Sequence, residues 1–348
     1  MLRQHQVPML LVPSEQEHTW DIYNVLDDKF LKLKLSLLYD KRFSGSSQGW
    51  LVVANKDHTI TLHKPYFISK DGISDVNTSV LLPSLFPPDD DFDPENDPLP
   101  EGYNDLEEYL NIIEGYDYYV RKTLITADPL ANPNDCTIVV IYGPFNELGW
   151  IRYGKDTTWR KIDEYCGFED IVRYKNQLYA IKKKGELLAF DPCTGIVKLV
   201  ATRISVGPTA NIKRYLVEWY GEFLLVERYM DFSAHRNDRM TKMYKVFKLD
   251  FGGARWIEIK SLGDLALFIG DNSSMAVLAS TFDGCQPNCI YYTHDEVGLQ
   301  TRTYPFCDLG VYNLESKRKL YFNDLDSSAL HRMFKRPPIW VLPLPDVC

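Results

Sequence analysis

The stretch Ile171-Val172-Arg173-Tyr174-Lys175-Asn176-Gln177-Leu178-Tyr179-Ala180-Ile181 aligns without a gap on Leu216-Val217-Glu218-Trp219-Tyr220-Gly221-Glu222-Phe223-Leu224-Leu225-Val226, 45 residues further along the chain. Each copy reads as strand, two-residue turn, strand. Lys175-Asn176 and Tyr220-Gly221 mark the turns, because Asn and Gly tolerate the positive φ that two-residue hairpins require. Gly263-Asp264-Leu265-Ala266-Leu267-Phe268-Ile269 repeats the turn and second strand, 42 residues after Gly221. Gly49-Trp50-Leu51-Val52-Val53 is an earlier relative, 127 residues before Asn176. Thr158-Trp159-Arg160-Lys161-Ile162 recurs 97 residues on as Arg255-Trp256-Ile257-Glu258-Ile259, and Gly195-Ile196-Val197-Lys198-Leu199 holds the comparable place between them.

A period of ~40–50 residues carrying about four short strands is the mark of a propeller blade. One blade cannot bury both faces alone, so blades stack around an axis and leave only short edges. The expected fold is an all-β propeller of about six blades, with seven as the alternative. A β-sandwich with chance internal similarity is the competing reading. The spacing places blades at 43–86, 115–165, 168–210, 213–260, 263–305 and 306–345. Residues 1–42 are then an N-terminal segment that adds a closing strand or packs on a rim, and 43–345 the propeller. Helices are few; Asp105 to Ile113, capped by Asn104, is the best candidate.

Aromatic residues make up 13% of the 348 residues, which favours pleated, half-buried strands. The net charge of −9 argues against a nucleic-acid partner, whose phosphates call for a basic face. From Asp71 to Val120 there are 14 Asp and Glu and no Lys or Arg, so the acidity is local. Its densest part is an acidic insert at 87–103, expected to be an exposed loop between blades. Within it Asp89, Asp90, Asp91, Asp93, Glu95 and Asp97 are the candidate partner-binding residues, suited to a basic protein surface. A calcium loop is disfavoured, since the EF-hand Gly and terminal Glu are out of place.

Seven Cys at irregular spacing, with no secretory signal ahead of them, point to a reducing compartment: cytoplasm, nucleus or both. No window approaches the ~20 apolar residues of a membrane helix, so no membrane partner is expected. The motifs of nucleotide binding, zinc proteolysis and serine hydrolysis are absent. Cys285, Cys289 and His294 offer only one thiol hook, too little for a zinc site. Asp264 and Asp271 raise the question of glycoside hydrolysis, but a turn role accounts for both. Lys182-Lys183-Lys184 and Lys317-Arg318-Lys319 read as solvated hairpin tips. No catalytic residue, metal or cofactor is expected.

The run from Val246-Phe247-Lys248-Leu249 through Trp256-Ile257-Glu258-Ile259 to Ser261-Leu262-Gly263-Asp264-Leu265-Ala266-Leu267-Phe268-Ile269-Gly270-Asp271-Asn272-Ser273-Ser274 resembles the plant KIB-type β-propeller family. Gly284-Cys285-Gln286-Pro287-Asn288-Cys289-Ile290-Tyr291-Tyr292, Gly45-Ser46-Ser47-Gln48-Gly49-Trp50-Leu51 and Pro337-Pro338-Ile339-Trp340 extend the resemblance over roughly residues 8–345. That domain commonly follows an F-box. The resemblance implies a substrate-recognition propeller of an SCF-type ubiquitin ligase, binding a client protein. The F-box itself is expected to be missing, because the segment resembling the post-F-box linker, Val7-Pro8-Met9-Leu10-Leu11-Val12-Pro13, comes almost at once. Docking to a Skp1-type adaptor is accordingly not expected. Two alternatives stand beside this reading. One is a propeller enzyme acting on a glycan or small metabolite, favoured by carboxylates, His or Arg clustered at the axis and opposed by a hydrophobic or mixed lining. The other is an organellar member of the family lacking the F-box.

Overall fold

The two aligned turns adopt the geometry their residues invite. Lys175 and Asn176 have φ of 46° and 63°, and Tyr220 and Gly221 have 45° and 80°. Gln48 and Gly49 do the same at 56° and 81°. Paired positive φ values match the twist of the flanking strands, and each turn joins the first two strands of a blade. The computed structural model describes residues 7–15, 19–36, 42–55, 57–64, 67–69, 72–73, 78–85, 119–143, 145–162, 166–204, 211–233, 238–294, 308–320, 322, 325 and 327–342.

Six sheets form the described chain, and it is a six-blade propeller. The first holds β1 (Met9–Pro13), β2 (Thr19–Asn24) and β3 (Lys29–Ser36); the second holds β4 (Phe43–Ser47), β5 (Trp50–Ala54), β6 (Thr59–Lys64) and β9 (Thr78–Ser84). Between β6 and β9 a short hairpin, β7 (Phe67–Ser69) and β8 (Gly72–Ile73), crosses back to extend the first sheet beyond β3. Blade three is β10 (Val120–Ile125), β11 (Thr137–Tyr142), β12 (Glu147–Arg152) and β13 (Arg160–Lys161). Blade four is β14 (Phe168–Tyr174), β15 (Gln177–Lys182), β16 (Glu186–Phe190) and β17 (Val197–Thr202). Blade five is β18 (Ile212–Trp219), β19 (Glu222–Ser233), β20 (Asp238–Asp250) and β21 (Arg255–Ile259).

Blade six breaks the pattern. Its strands are β22 (Leu265–Ile269), β23 (Ser274–Leu278), β24 (Cys289–Tyr292), β25 (Gly310–Asn313) and β26 (Lys319–Leu320). Their spatial order is β23-β22-β24-β25-β26. The chain enters at the second position, turns back to lay down the inner strand, then returns so that β24 runs parallel to β22. Gly263 to Ile269 is therefore a second strand, as its likeness to the earlier repeats indicates, but its inner partner follows it in sequence.

The ends of the chain close the ring. After helix α1 (Ser327–Lys335), β27 (Ile339–Val341) pairs with β1 and becomes the inner strand of blade one. Trp340 donates from Nε1 to the Ile269 carbonyl at 3.0 Å, and Ser273 donates to the Trp340 carbonyl at 2.9 Å. The spacing-based blade limits thus need correcting at both ends. Residues 263–305 and 306–345 are not two blades, because the strands from 265 to 320 make one. Residues 9–36, inside the segment set apart as 1–42, supply three strands of another. The helix expected at Asp105 to Ile113 lies outside the described residues.

Burial explains the continuous apolar runs. Side chains alternate along each strand, and both faces of every blade are covered by a neighbour. Leu51 and Val53 pack with blade one, whereas Trp50, Val52 and Ala54 pack with blade three. Leu178 and Ala180 face blade three, and Tyr179 and Ile181 face blade five. Six buried clusters result, one between each pair of adjacent blades, the last joining blade six to blade one. The recurring Trp serves the same junctions: Trp159 Nε1 reaches the Pro83 carbonyl of blade two at 2.9 Å.

Candidate functional site: a ring of charge at the axis

Inner strands begin with an apolar anchor and then turn polar. Phe43-Ser44-Gly45, Val120-Arg121-Lys122, Phe168-Glu169-Asp170 and Ile212-Lys213-Arg214 open β4, β10, β14 and β18. In the first three the pairing slips by one residue at this point, between Phe43 and Gly45, Val120 and Lys122, and Phe168 and Asp170. A bulge inserts one unpaired residue and re-aims the side chains around it. Here the inserted residues are Ser44, Arg121 and Glu169, at equivalent places in three successive blades.

Gly45 is required by the same crowding. A Cβ on it would stand 2.6 Å from the Thr123 carbonyl oxygen, because β4 and β10 touch at the axis. Ser44 and Thr123 share a hydroxyl hydrogen bond of 3.2 Å across that seam, and Ser47 donates to the Ile125 carbonyl at 3.0 Å.

The charges form a circuit between blades. Lys122 of blade three pairs with Asp170 of blade four, both buried. Asp170 also accepts from its own Ile171 N–H at 2.6 Å and from the Leu216 N–H of blade five at 2.7 Å. Arg214, wholly buried, meets Glu169 of blade four at 3.1 Å, donates to the Lys183 carbonyl at 2.6 Å and lies 3.4 Å from Glu227. Glu227 in turn lies 3.6 Å from Arg203 and accepts from the Tyr229 hydroxyl at 2.7 Å. Lys213 pairs with Asp271, on the turn between β22 and β23 of blade six. Arg42, just before β4, donates to the Val120 and Arg121 carbonyls at 3.0 and 3.3 Å.

Environment moves these groups in different directions. Burial raises the Glu169 carboxyl above its ordinary range, against the pull of Arg214 and Lys213. Burial also opposes ionisation of Asp271, yet Lys213, Arg42 and Arg121 outweigh it and hold that carboxyl low. Arg121 is shifted down by burial, with Arg42 adding repulsion and Asp271 partly compensating. A second buried network lies between blades five and six. Arg228 donates to Thr241, to the Thr293 carbonyl and to Asp308 at 2.7, 2.9 and 3.0 Å, and stacks over Tyr292 at 5.1 Å.

Sequence reasoning located little of this. The candidate residues Asp89, Asp90, Asp91, Asp93, Glu95 and Asp97 lie outside the described residues. Asp264 does take a turn role, accepting from the Ser280 N–H at 3.0 Å. Asp271 also sits on a turn, between β22 and β23, and there pairs with Lys213. Among the described residues no three His, Cys, Asp or Glu cluster as a metal site. Cys289 instead accepts from the Asn313 amide at 3.4 Å, and His294 Nδ1 accepts from the Asp308 N–H at 3.2 Å. No described helix is long and apolar enough to cross a membrane. The signal that would have found the ring is the recurring apolar-polar-polar opening of the inner strands.

The chain is 31% identical over 153 residues to F-box protein At4g35733 of Arabidopsis thaliana, covering 40% of this chain and 41% of that protein. It is 28% identical over 222 residues to the Arabidopsis F-box protein At2g17036, covering 55% of this chain and 51% of the relative. It is 27% identical over 161 residues to the Arabidopsis F-box protein At2g26160, covering 44% and 49%. The chain thus spans about half the length of the curated relatives it matches. Among solved structures, the WD40 domain of SCAP from fission yeast matches with a TM-score of 0.33 and 12% identity, covering 92% of this chain and 76% of that one. The family described as the KIB1-4 β-propeller matches residues 22–313, and the chain belongs to that family.

Proposed function

We propose that the chain is a non-catalytic recognition propeller, the part of an F-box-type adaptor that holds a client protein for an SCF ubiquitin ligase. The carrying observation is the family match, together with relatives named as F-box proteins. The axis is compatible with binding. It carries the carboxylates and arginines that an enzyme reading calls for, but Glu169, Asp170, Glu227 and Asp271 each sit against a cation, which does not favour an acid–base pair poised for chemistry. The acidic stretch around Asp89–Asp97 is the proposed contact for a basic client surface, on charge alone. Cytoplasm and nucleus are the proposed compartments.

Affinity capture with the full chain, followed by reconstituted ubiquitination of each captured protein, tests this reading. The expected result is a client that binds the purified chain directly and is modified only when chain and ligase are joined. No direct protein partner across repeated captures would refute it. A Skp1-type adaptor in the same assay separates recognition from ligase docking.

A further inference from the structure

The apolar seam between blades four and five ends in charge. Alternate residues along an extended segment share a face. Two positions nearer the ring, Ile181 gives way to Lys183, Ala201 to Arg203, Leu225 to Glu227, Phe247 to Lys245 and Trp256 to Glu258. Hydrogen bonds and strand register draw these residues together. The Arg203 N–H donates to the Gly185 carbonyl at 2.8 Å, the Lys183 carbonyl accepts from Arg214 at 2.6 Å, and Glu227 stands directly opposite Lys245. Lys182-Lys183-Lys184, which reads in sequence as a solvated hairpin tip, is thus one wall of a charged rim.

The carboxylates of this rim are already engaged. Glu227, wholly buried, lies 3.4 Å from Arg214 and 3.6 Å from Arg203. Glu169 meets Arg214 at 3.1 Å, with Lys213 and Lys183 acting at longer range. Glu258 pairs with Lys260, and that bond, helped by the charges of Lys245 and Arg203, holds its carboxyl below the ordinary range. Three lysines are left over. Among the described residues Lys183, Lys184 and Lys245 have no carboxylate within ion-pair distance; the first two are exposed, and Lys245 lies over the Tyr229 ring at 5.6 Å. Ile204, next to Arg203 in the chain, is 80% exposed and adds apolar surface.

We propose that this rim docks an acidic segment of a partner protein, its carboxylates reaching Lys183, Lys184 and Lys245 and an aliphatic side chain meeting Ile204. Three accessible cations without a carboxylate, on a chain whose net charge is −9, supply the charge complementarity. The same net charge repels a long polyanion such as nucleic acid and leaves a short acidic segment the better fit. The inference rests on the recognition reading only in taking the occupant to be a protein. Peptide titration needs neither adaptor nor ligase, so either reading can fail while the other stands.

Fluorescence anisotropy of the full chain with a labelled peptide of alternating Asp and Glu around a central Leu tests it, beside the same peptide with Asn and Gln for the acids. Saturable binding is expected for the acidic peptide alone. It weakens about 10-fold in the triple variant Lys183→Gln, Lys184→Gln, Lys245→Gln, since exposed ion pairs are worth up to a few-fold each, and it weakens with added salt. The triple variant with Arg at these positions keeps binding. Lys317→Gln with Arg318→Gln, exposed cations of blade six, leaves it unchanged. None of these side chains is buried in the core, so the unfolding midpoint stays put and a lost fold cannot mimic the result. The proposal is overturned by absence of saturable binding to the acidic peptide, by equal loss in the blade-six variant, or by tighter binding of a single-stranded oligonucleotide than of the peptide. Self-association in sedimentation that disappears in the triple Gln variant also overturns it, because the rim would then hold a second copy of the chain.

Discussion

Asp170→Ala is expected to be among the most damaging single substitutions in this propeller. The side chain is 1% exposed and joins three blades: Lys122 of blade three, its own Ile171 N–H, and the Leu216 N–H of blade five. Truncation strands the Lys122 ammonium, itself only 8% exposed, and leaves two amides without their acceptor. Breaking a buried pair by removing one partner costs about 3–5 kcal/mol. An unsatisfied buried amide costs about 1–3 kcal/mol more. The contributions overlap, so roughly 4–6 kcal/mol is expected, a large part of the ~5–15 kcal/mol that holds a typical domain folded. Urea unfolding followed by tryptophan fluorescence reads this as a fall in midpoint, with slope unchanged. Asp170→Asn retains an acceptor for Leu216 but not the charge, and falls between. The decisive comparison is the cycle with Lys122→Met. The double variant is expected to be more stable than Asp170→Ala alone, because no ammonium is left stranded. A loss below ~1 kcal/mol in Asp170→Ala, or a coupling under ~0.5 kcal/mol in the cycle, would refute the reasoning.

Other consequences follow from the same geometry. Gly45→Ala drives a Cβ to 2.6 Å from the Thr123 carbonyl, so β4 and β10 must separate, at ~1–3 kcal/mol in thermal or urea unfolding. Trp340→Ala removes the closing hydrogen bond to Ile269 and a ring contact of 5.0 Å with Phe268, and is expected to cost ~3–5 kcal/mol; proteolysis should then open the junction of blades six and one first. Acid sensitivity has a defined sign. Asp271 and Asp308 are held low in the folded state despite burial, by Lys213 and by Arg228 respectively. Their contribution is complete above the unfolded carboxylate value of about 4 and is lost as pH falls through the lower folded values. Glu169, raised by burial, works the other way: its ionisation weakens the fold as pH climbs from about 4.3 to its folded value. An unfolding midpoint that rises as pH drops below about 4 would contradict the balance expected from the two aspartates. Asp271→Asn removes the carboxylate that Lys213 pairs with, so it should lower the urea midpoint of unfolding at neutral pH; an unchanged midpoint would count against the pair.

Much of the fold was legible because one physical demand repeats. Every blade must present apolar side chains to two neighbours, so second strands such as Leu178–Ile181 and Phe223–Val226 read as short, uninterrupted apolar runs behind a turn. The turns are local chemistry, with Asn176, Gly221 and Gly49 sitting at the positive φ their types favour. Blade six was misjudged for a reason of the same kind. Its second strand carries the turn and the apolar run, whereas its inner strand, Ser274 to Leu278, is half-buried and comes afterwards. Order along the chain is the one thing a repeat takes for granted. The closing strand escaped in turn because three residues, Ile339 to Val341, are too few to show a period.

The axial ring was illegible for a different reason. Arg121, Lys122, Glu169, Asp170, Lys213 and Asp271 are scattered over 150 positions of chain, and each alone looks like an ordinary charged residue beside a turn. Only closure of the propeller brings the starts of successive inner strands together, and only then do Lys122 and Asp170, or Lys213 and Asp271, become pairs. The charge total of the chain misleads here as well. A net −9, with its acidity concentrated between Asp71 and Val120, says nothing of an axis where buried carboxylates and cations face one another. Position in the ring, more than composition, therefore decides which of these charges become pairs.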